Sequence, residues 1–333
     1  MWQELLSHAA IDTVTVNLLR EHRWPVPSPY AAFPAIRGSV VPETAAWSAS
    51  AAERALRDLD PDTIVFITPR AFHPRLVGIA RRSILDFQDR FSASYSSRAA
   101  VDTRPGAALG WRLLSWATAR FEARDHGVLT VAAGWSEAVQ VGATWIPNTV
   151  TTIPAATIND HGAAPVDLLF FGKLSALPNV DALRRIGSYW PRLTSERPSV
   201  SALIAGAYPS REVQALARTH GWQVEVDFES VLAVCQRARV ALVPLRHANG
   251  IQNKVLEAAA AGLPQVVSAA ALRGMKPGFP AMIARSEEST VKAIDLLLSN
   301  PSCRLELAYA AHAHVERHYS IDRWAPVVHD LVS

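Results

Sequence analysis

Six apolar runs rich in β-branched residues recur along the chain, separated by longer amphipathic stretches. They are Thr13–Leu18 (TVTVNL), Thr63–Thr68 (TIVFIT), Val128–Ala132 (VLTVA), Val166–Phe171 (VDLLFF), Ser201–Ile204 (SALI) and Val240–Leu245 (VALVPL). Continuous runs of this kind predict parallel strands buried on both faces, hence an α/β, doubly wound architecture. Asp181–Tyr189 and Ser210–His220 carry apolar residues at helical spacing, and Gly221 stands where the second helix should stop. Ile146–Pro154 (IPNTVTTIP) reads as a linker between two halves, and Arg23–Pro42, with five prolines, as an irregular surface segment.

The stretch GIQNKVLEAAAAGLP, Gly250–Pro264, follows the Val240 run. Asn253–Ala261 favour a helix, Gly262 suits the position just past its end, and Pro264 blocks continuation. The loop Arg246–Asn253 therefore delivers a helix N-terminus to the carboxyl edge of a parallel sheet, where α/β folds bind ligands. Unsatisfied N–H groups and the helix dipole there suit a phosphate or diphosphate. Gly250 permits close backbone approach, Arg246 and Lys254 add positive charge, and Glu257, one turn in, can accept from two adjacent sugar hydroxyls. A second landmark, FFGKLSALPNVDAL, ends a strand at Gly172 and places Lys173 as a further phosphate cation.

With 333 residues, 49% hydrophobic and 19% charged, the chain has the size of two globular domains. A net charge of +3 on scattered basic residues gives no nucleic-acid footprint. Cys235 and Cys303 are the only cysteines, too few for a disulfide framework or a zinc cluster, which favours a reducing cytoplasm. No run approaches the roughly 18 to 20 apolar residues of a membrane span.

These two landmarks together resemble the GT-B glycosyltransferases of the group 1, family 4 type. The match rests on FGKLSALPNVDAL and on PLRHANGIQNKVLEAAAAGLPQVVS, the latter in a Pro-Leu-Arg subgroup form. IAGAYPSREVQALA, IPNTV, ERHYSIDRW, ILDFQDRFSASYSSRAA and FEARDHGVLTVAAGWSEA extend it over most of the chain. The resemblance implies two Rossmann-like domains facing a cleft: an acceptor-side domain over 1–148, a nucleotide-sugar donor domain over 149–320, and a terminal helix, 321–333, crossing back to the first. It implies sugar transfer from a nucleoside-diphosphate sugar to a glycan, lipid-linked or small-molecule acceptor, usually with retention, with no cofactor and no metal. Peripheral association with the inner face of the membrane fits a lipid-linked acceptor. Carried over by position, Glu257 binds the donor ribose, the backbone at Gly250 and Ile251 the diphosphate, and Lys173 the charge on the leaving group. Gly172, Arg246, Asn253 and Lys254 join the donor contacts.

The chain departs from the family pattern at three places. Asn249 stands where many members carry an acid, and is assigned a hydrogen bond to the transferred sugar. Asp86 and Asp89 stand where a histidine is common, and are assigned to face the reacting sugar. WQELLSHAA reads as the first helix, with no opening strand or Gly-Gly loop before it, so the expectation is a true start upstream or an incomplete first domain. Alternatives on the same architecture are an epimerase, a glycoside phosphorylase (for which no cofactor lysine is signalled), or a non-catalytic partner subunit. His73 reads as an ordinary loop histidine, and Asp227–Glu229 as a turn that could border a nucleobase. Trp111, Trp116 and Trp135 read mostly as packing residues, and Arg75, Arg81 and Arg82 as a cationic helix face.

Overall fold

The structure is a computed structural model, and it describes residues 2–8, 11–14, 38–41, 44, 47–102, 104, 106–248 and 250–333. The chain divides into two compact units. One comprises residues 1–147, 249–251 and 324–333; the other comprises 148–248 and 252–323. Most of the expected strand at Thr13–Leu18, most of the proline-rich segment and Asn249 lie outside the described residues.

In the first unit, helices α1 (Trp2–His8) and α2 (Ala49–Leu59) precede strand β1 (Thr63–Ile67). Then come β2 (Arg82–Asp86), α3 (Phe91–Val101), α4 (Ala107–Glu122), β3 (Leu129–Ala132), α5 (Trp135–Val141) and β4 (Thr144–Trp145). Among the described residues the strands form a parallel sheet in the order β1-β2-β3-β4. Its core gathers Phe66, Phe72, Phe87 and Phe121, with Phe72 edge-on to Phe66 at 5.3 Å and to Phe121 at 5.7 Å. Each such ring contributes on the order of 2 to 3 kcal/mol by leaving water. Strand β2 corrects the expectation of a cationic helix. Arg75 lies in a single 3-10 turn, Arg81 in a bend and Arg82 on the strand. The β-branched and aliphatic run SILD prevails there because two parallel neighbours bury it.

The second unit runs β5 (Val166–Phe171), α6 (Leu177–Glu196), β6 (Ala202–Ala205), α7 (Arg211–His220), β7 (Gln223–Glu225), α8 (Val231–Gln236) and β8 (Ala238–Val243). It continues with α9 (Asn253–Ala260), β9 (Gln265–Val267), β10 (Met282–Ile283), α10 (Glu287–Ser299) and α11 (Pro301–Tyr319). Helix α12 (Ile321–Val332) follows, its residues from Trp324 onward grouping with the first unit. There Thr63 Oγ1 donates to the Val332 carbonyl at 2.8 Å, and Trp324 meets Trp145 edge-on at 5.3 Å.

The second unit's six strands are parallel in the order β10-β9-β8-β5-β6-β7. From β5 the chain winds one way through β6 and β7, then returns to the other side of β5 for β8, β9 and β10. This is the doubly wound order whose switch point, between β5 and β8, opens a ligand crevice at the strands' carboxyl ends. Local sequence explains the helices that frame it. Ser210 caps α7 through the Val213 N–H, and Gly221 ends it at φ +69°. The alanines of α9 are buried, and small side chains allow that helix to lie close to β8 and α11.

Candidate functional site

At the end of β5 the chain turns through Gly172 at φ +140°, a backbone conformation that favours glycine. The space is also tight here. A Cβ at Gly172 would stand 3.1 Å from Lys254 Nζ and 3.2 Å from Asn179 Nδ2. Gly206, ending β6 at φ +151°, is tighter still, for a Cβ there would meet the Gly172 carbonyl oxygen at 1.8 Å. The two strand ends are thus held backbone to backbone, and the Gly172 N–H donates to the Ala205 carbonyl at 3.0 Å.

Lys254 is the second residue of α9, and its side chain runs back toward the helix start, as long helical side chains do. Its ammonium lies 4.5 Å above the Phe170 ring and donates to Asn179 Oδ1 at 2.5 Å. Asn179 Nδ2 in turn donates to the Lys173 carbonyl at 2.8 Å. Burial lowers the Lys254 pKa to about 8, opposed by the Glu257 carboxylate one turn along. Lys173 is exposed, its Nζ 6.0 Å from the Tyr208 ring. Among the described residues Gln252 makes no side-chain cap at the start of α9, while the Val255 N–H donates to the Gln252 carbonyl at 2.9 Å, so it is the first two N–H groups of the helix that point toward an anion. Lys173, Lys254, Gly172 and the α9 N-terminus therefore meet at the switch point, with Glu257 on the same helix.

Other expected residues lie differently. Arg246 is exposed and 3.8 Å from Asp181, an ion pair with the first half of α6. Asn253 is exposed and accepts from Asn148 Nδ2 at 2.7 Å. Asp86 is fully buried. Its Oδ2 accepts from the Trp2 indole at 2.8 Å and its Oδ1 from the Gln88 N–H at 2.8 Å, the environment of an anchor for α1.

Within the first unit, Asp89 is half-buried, and desolvation, then Glu137 and Asp86, push its pKa up to about 6. Gly250, at φ +61°, belongs to this unit's grouping, and its N–H donates to Glu137 Oε1 at 3.3 Å. A Cβ at Gly250 would fall 1.6 Å from Asp89 Oδ1, so only glycine fits against that carboxylate. Ile251 beside it is half-buried. Asp89, Glu137 and Gly250 thus form an acidic cluster around one backbone N–H.

The quoted motifs contain Glu137 (WSEA) and Asn179 (LPNV), but the sequence reading assigned neither a contact in the site. Asn179 stands six residues after Lys173, and a helix-opening Pro-Asn directly after a strand-Gly-Lys turn is a pattern that could have flagged it. His73 is an ordinary turn residue, its Nδ1 accepting from the Arg75 N–H at 3.1 Å. Trp111 stacks on Tyr95 at 5.8 Å and Trp135 packs edge-on to Trp145 at 5.0 Å, whereas Trp116 is exposed.

The family model for glycosyl transferases group 1 matches residues 165–300, the span holding both landmarks of the second unit. A search of curated protein sequences returns no match. Among solved structures, TarM from S. aureus is similar with a TM-score of 0.62 at 10% identity, over 84% of this chain and 57% of its own. Sucrose-phosphate synthase from Thermosynechococcus elongatus is similar with a TM-score of 0.62 at 13% identity, over 85% and 75%. HepE from Anabaena, in complex with UDP and glucose, is similar with a TM-score of 0.61 at 15% identity, over 99% and 88%. The chain thus has the α/β fold of GT-B glycosyltransferases, and spans a little over half the length of TarM. The pairing of Gly172 and Lys254 at the switch point lies inside the residues that the family model matches.

Proposed function

We propose that the protein is a glycosyltransferase that moves a sugar from a nucleoside-diphosphate sugar to a glycan, lipid-linked or small-molecule acceptor in the cytoplasm. The observation that carries this reading is the convergence of Lys173, Lys254, Gly172 and the uncapped start of α9 at the switch point of the second unit. HepE, similar in fold, has been crystallised with UDP and glucose. The diphosphate lies against the α9 N-terminus, and Glu257 accepts from the ribose hydroxyls. Arg246 and Asn253 supply outer donor contacts, whereas the Gly250 N–H, expected at the diphosphate, is instead taken by Glu137.

In the reaction the bond from the anomeric carbon to the diphosphate oxygen breaks and a bond to the acceptor oxygen forms, with retention. The leaving diphosphate gains negative charge, which Lys173, Lys254 and the helix dipole stabilise in place, without a metal. Asp89, rather than the buried Asp86, faces the reacting sugar, and its raised pKa suits it to exchange a proton near neutrality. The first unit serves the acceptor.

The test is product analysis with UDP-, GDP-, dTDP- and ADP-sugars and a panel of sugar acceptors. Nucleoside diphosphate released together with a glycosylated acceptor is expected, and Lys173→Ala should lower kcat by about 10² to 10³. Sugar nucleotides that bind but are never consumed, with every acceptor class tried, contradict the proposal.

A further inference from the structure

One amide stands between the two lysines of the candidate site. Asn179, the third residue of α6, accepts from Lys254 Nζ through Oδ1 at 2.5 Å and donates through Nδ2 to the Lys173 carbonyl at 2.8 Å. Its own N–H donates to the Ala176 carbonyl at 2.9 Å, so the first turn of the helix fixes the backbone beneath it. Turned over, the amide would set its N–H donors against an ammonium and its oxygen against a carbonyl, so one orientation alone serves both partners. The ammonium lies 4.5 Å over the Phe170 ring. A Cβ at Gly172 would press on both polar groups, and glycine leaves that side of them clear.

A lysine carries its charge on a flexible four-carbon stem, and the acid of its own helix, Glu257, is three residues along, a spacing at which the two can pair. A carboxylate at position 179 would hold the ammonium equally well, but it would neutralise the charge and repel a diphosphate. An amide oxygen orients the ammonium and leaves its charge for an incoming anion. We infer that Asn179 is a positioning residue: its amide holds the Lys254 ammonium at the end of β5 instead of on Glu257 and locks the Lys173 turn to it, so that both cations face one diphosphate. The inference rests on the donor-site reading and deepens it. The other charged and titratable groups on the elements around Lys254 are Lys173 after β5, Asp181 on α6, Cys235 on α8, and Arg246 and His247 before α9. Asp181 and Arg246 face each other at 3.8 Å, and among the described residues no ion pair with Lys254 forms.

The chain has four lysines, so an NMR pH titration of the full chain, labelled with carbon-13 at lysine Cε, follows each of them, and Lys254→Met assigns the signal. Asn179→Ala removes the acceptor of the charged form and should lower the Lys254 pKa. Asn179→Asp puts a carboxylate in its place and should raise that pKa by about one pH unit or more. A residue that only supports the fold would shift the melting curve and leave this pKa where it is. In calorimetry with UDP, GDP, dTDP and ADP, Asn179→Ala should bind the diphosphate that the wild type prefers about 10-fold more weakly. Asn179→Asp should bind it more weakly still, because its charge opposes the phosphates. Melting curves report folding, and Asn179→Asp, equal in size, keeps the titration decisive if Asn179→Ala alone fails to fold. The same Lys254 pKa in the wild type and the variants, or wild-type affinity in the variants, overturns the inference and leaves the donor-site reading standing. A wild type that binds none of the four diphosphates overturns that reading and the positioning role with it.

Discussion

Lys254 and Asn179 join across the end of β5, the ammonium donating to Oδ1 at 2.5 Å while the amide nitrogen donates to the Lys173 carbonyl at 2.8 Å. This ties the cation that should meet a diphosphate to the loop that carries the other one. A lysine whose pKa burial lowers to about 8 is still mostly charged at neutral pH, and an arriving dianion favours the charged form. Nucleoside diphosphate affinity is therefore expected to decline as pH rises through about 8. At pH 8.5, calorimetry in buffers of different ionisation enthalpy should detect proton uptake on binding. The linkage sign for the free protein runs the other way. Below pH 8 the lysine is charged in both the folded and unfolded chain, and from about 8 to 10.5 the unfolded chain holds more protons, so stability rises across that window. Lys254→Met should remove both effects; persistence of either means that another group titrates.

Gly206 offers a test of how the strand ends are held. A Cβ 1.8 Å from the Gly172 carbonyl cannot be accommodated by a side-chain rotation, and φ +151° is strained for alanine. Gly206→Ala should destabilise by about 3 kcal/mol or more, read by denaturant unfolding. Gly221→Ala, in open space at φ +69°, should cost only about 1 kcal/mol. Comparable losses at the two sites would contradict the close approach.

Asp89 should mark the acidic cluster through the pH dependence of folding. Its folded pKa of about 6 exceeds the ordinary carboxyl value of 3.8, so the folded chain binds the proton more tightly. The associated stability is fully present below about pH 4 and is lost as pH rises through 6. Asp89→Asn should therefore raise the melting temperature above pH 6 and flatten the curve between about 4 and 6. An unchanged pH profile would mean that Asp89 is better solvated than its surroundings imply.

Trp2 and Asp86 form the anchor of α1. Trp2→Phe keeps the ring but leaves a buried carboxylate short of one donor, which should cost about 1 to 3 kcal/mol at neutral pH. Adding Asp86→Asn should recover part of that loss, since an uncharged amide needs less solvation. Thermal melts of the single and double variants give the answer, and equal losses in both would rule out the charge as the cause.

The second unit was legible because its signals were local. Val166–Phe171 and Val240–Leu245 are continuous apolar runs, Ser210 and Gly221 bracket one helix, and Gly262 ends another at φ +69°. The positions of the two lysines were legible for the same reason: Lys173 follows the end of β5 by two residues, and Lys254 opens the helix after β8. What stayed hidden depends on contacts distant in sequence. Asn179 is 75 residues from the lysine it binds, and Glu137 is 113 from Gly250. Strand β2 was missed because SILD is short and preceded by two arginines, and only neighbours on both sides make it a strand. Trp116 was read as packing because tryptophan usually is, and its exposure follows from which face α4 turns to the core.

Thermal unfolding of the full chain with UDP, GDP, dTDP and ADP, for wild type and Glu257→Gln, tests the donor site most directly. One diphosphate at about 100 times its dissociation constant should stabilise the wild type by about 2.7 kcal/mol. At the same concentration Glu257→Gln should show a clearly smaller shift while melting normally without ligand. No shift with any of the four, or an equal shift in wild type and Glu257→Gln, would contradict a nucleotide site built on Glu257 and Lys254.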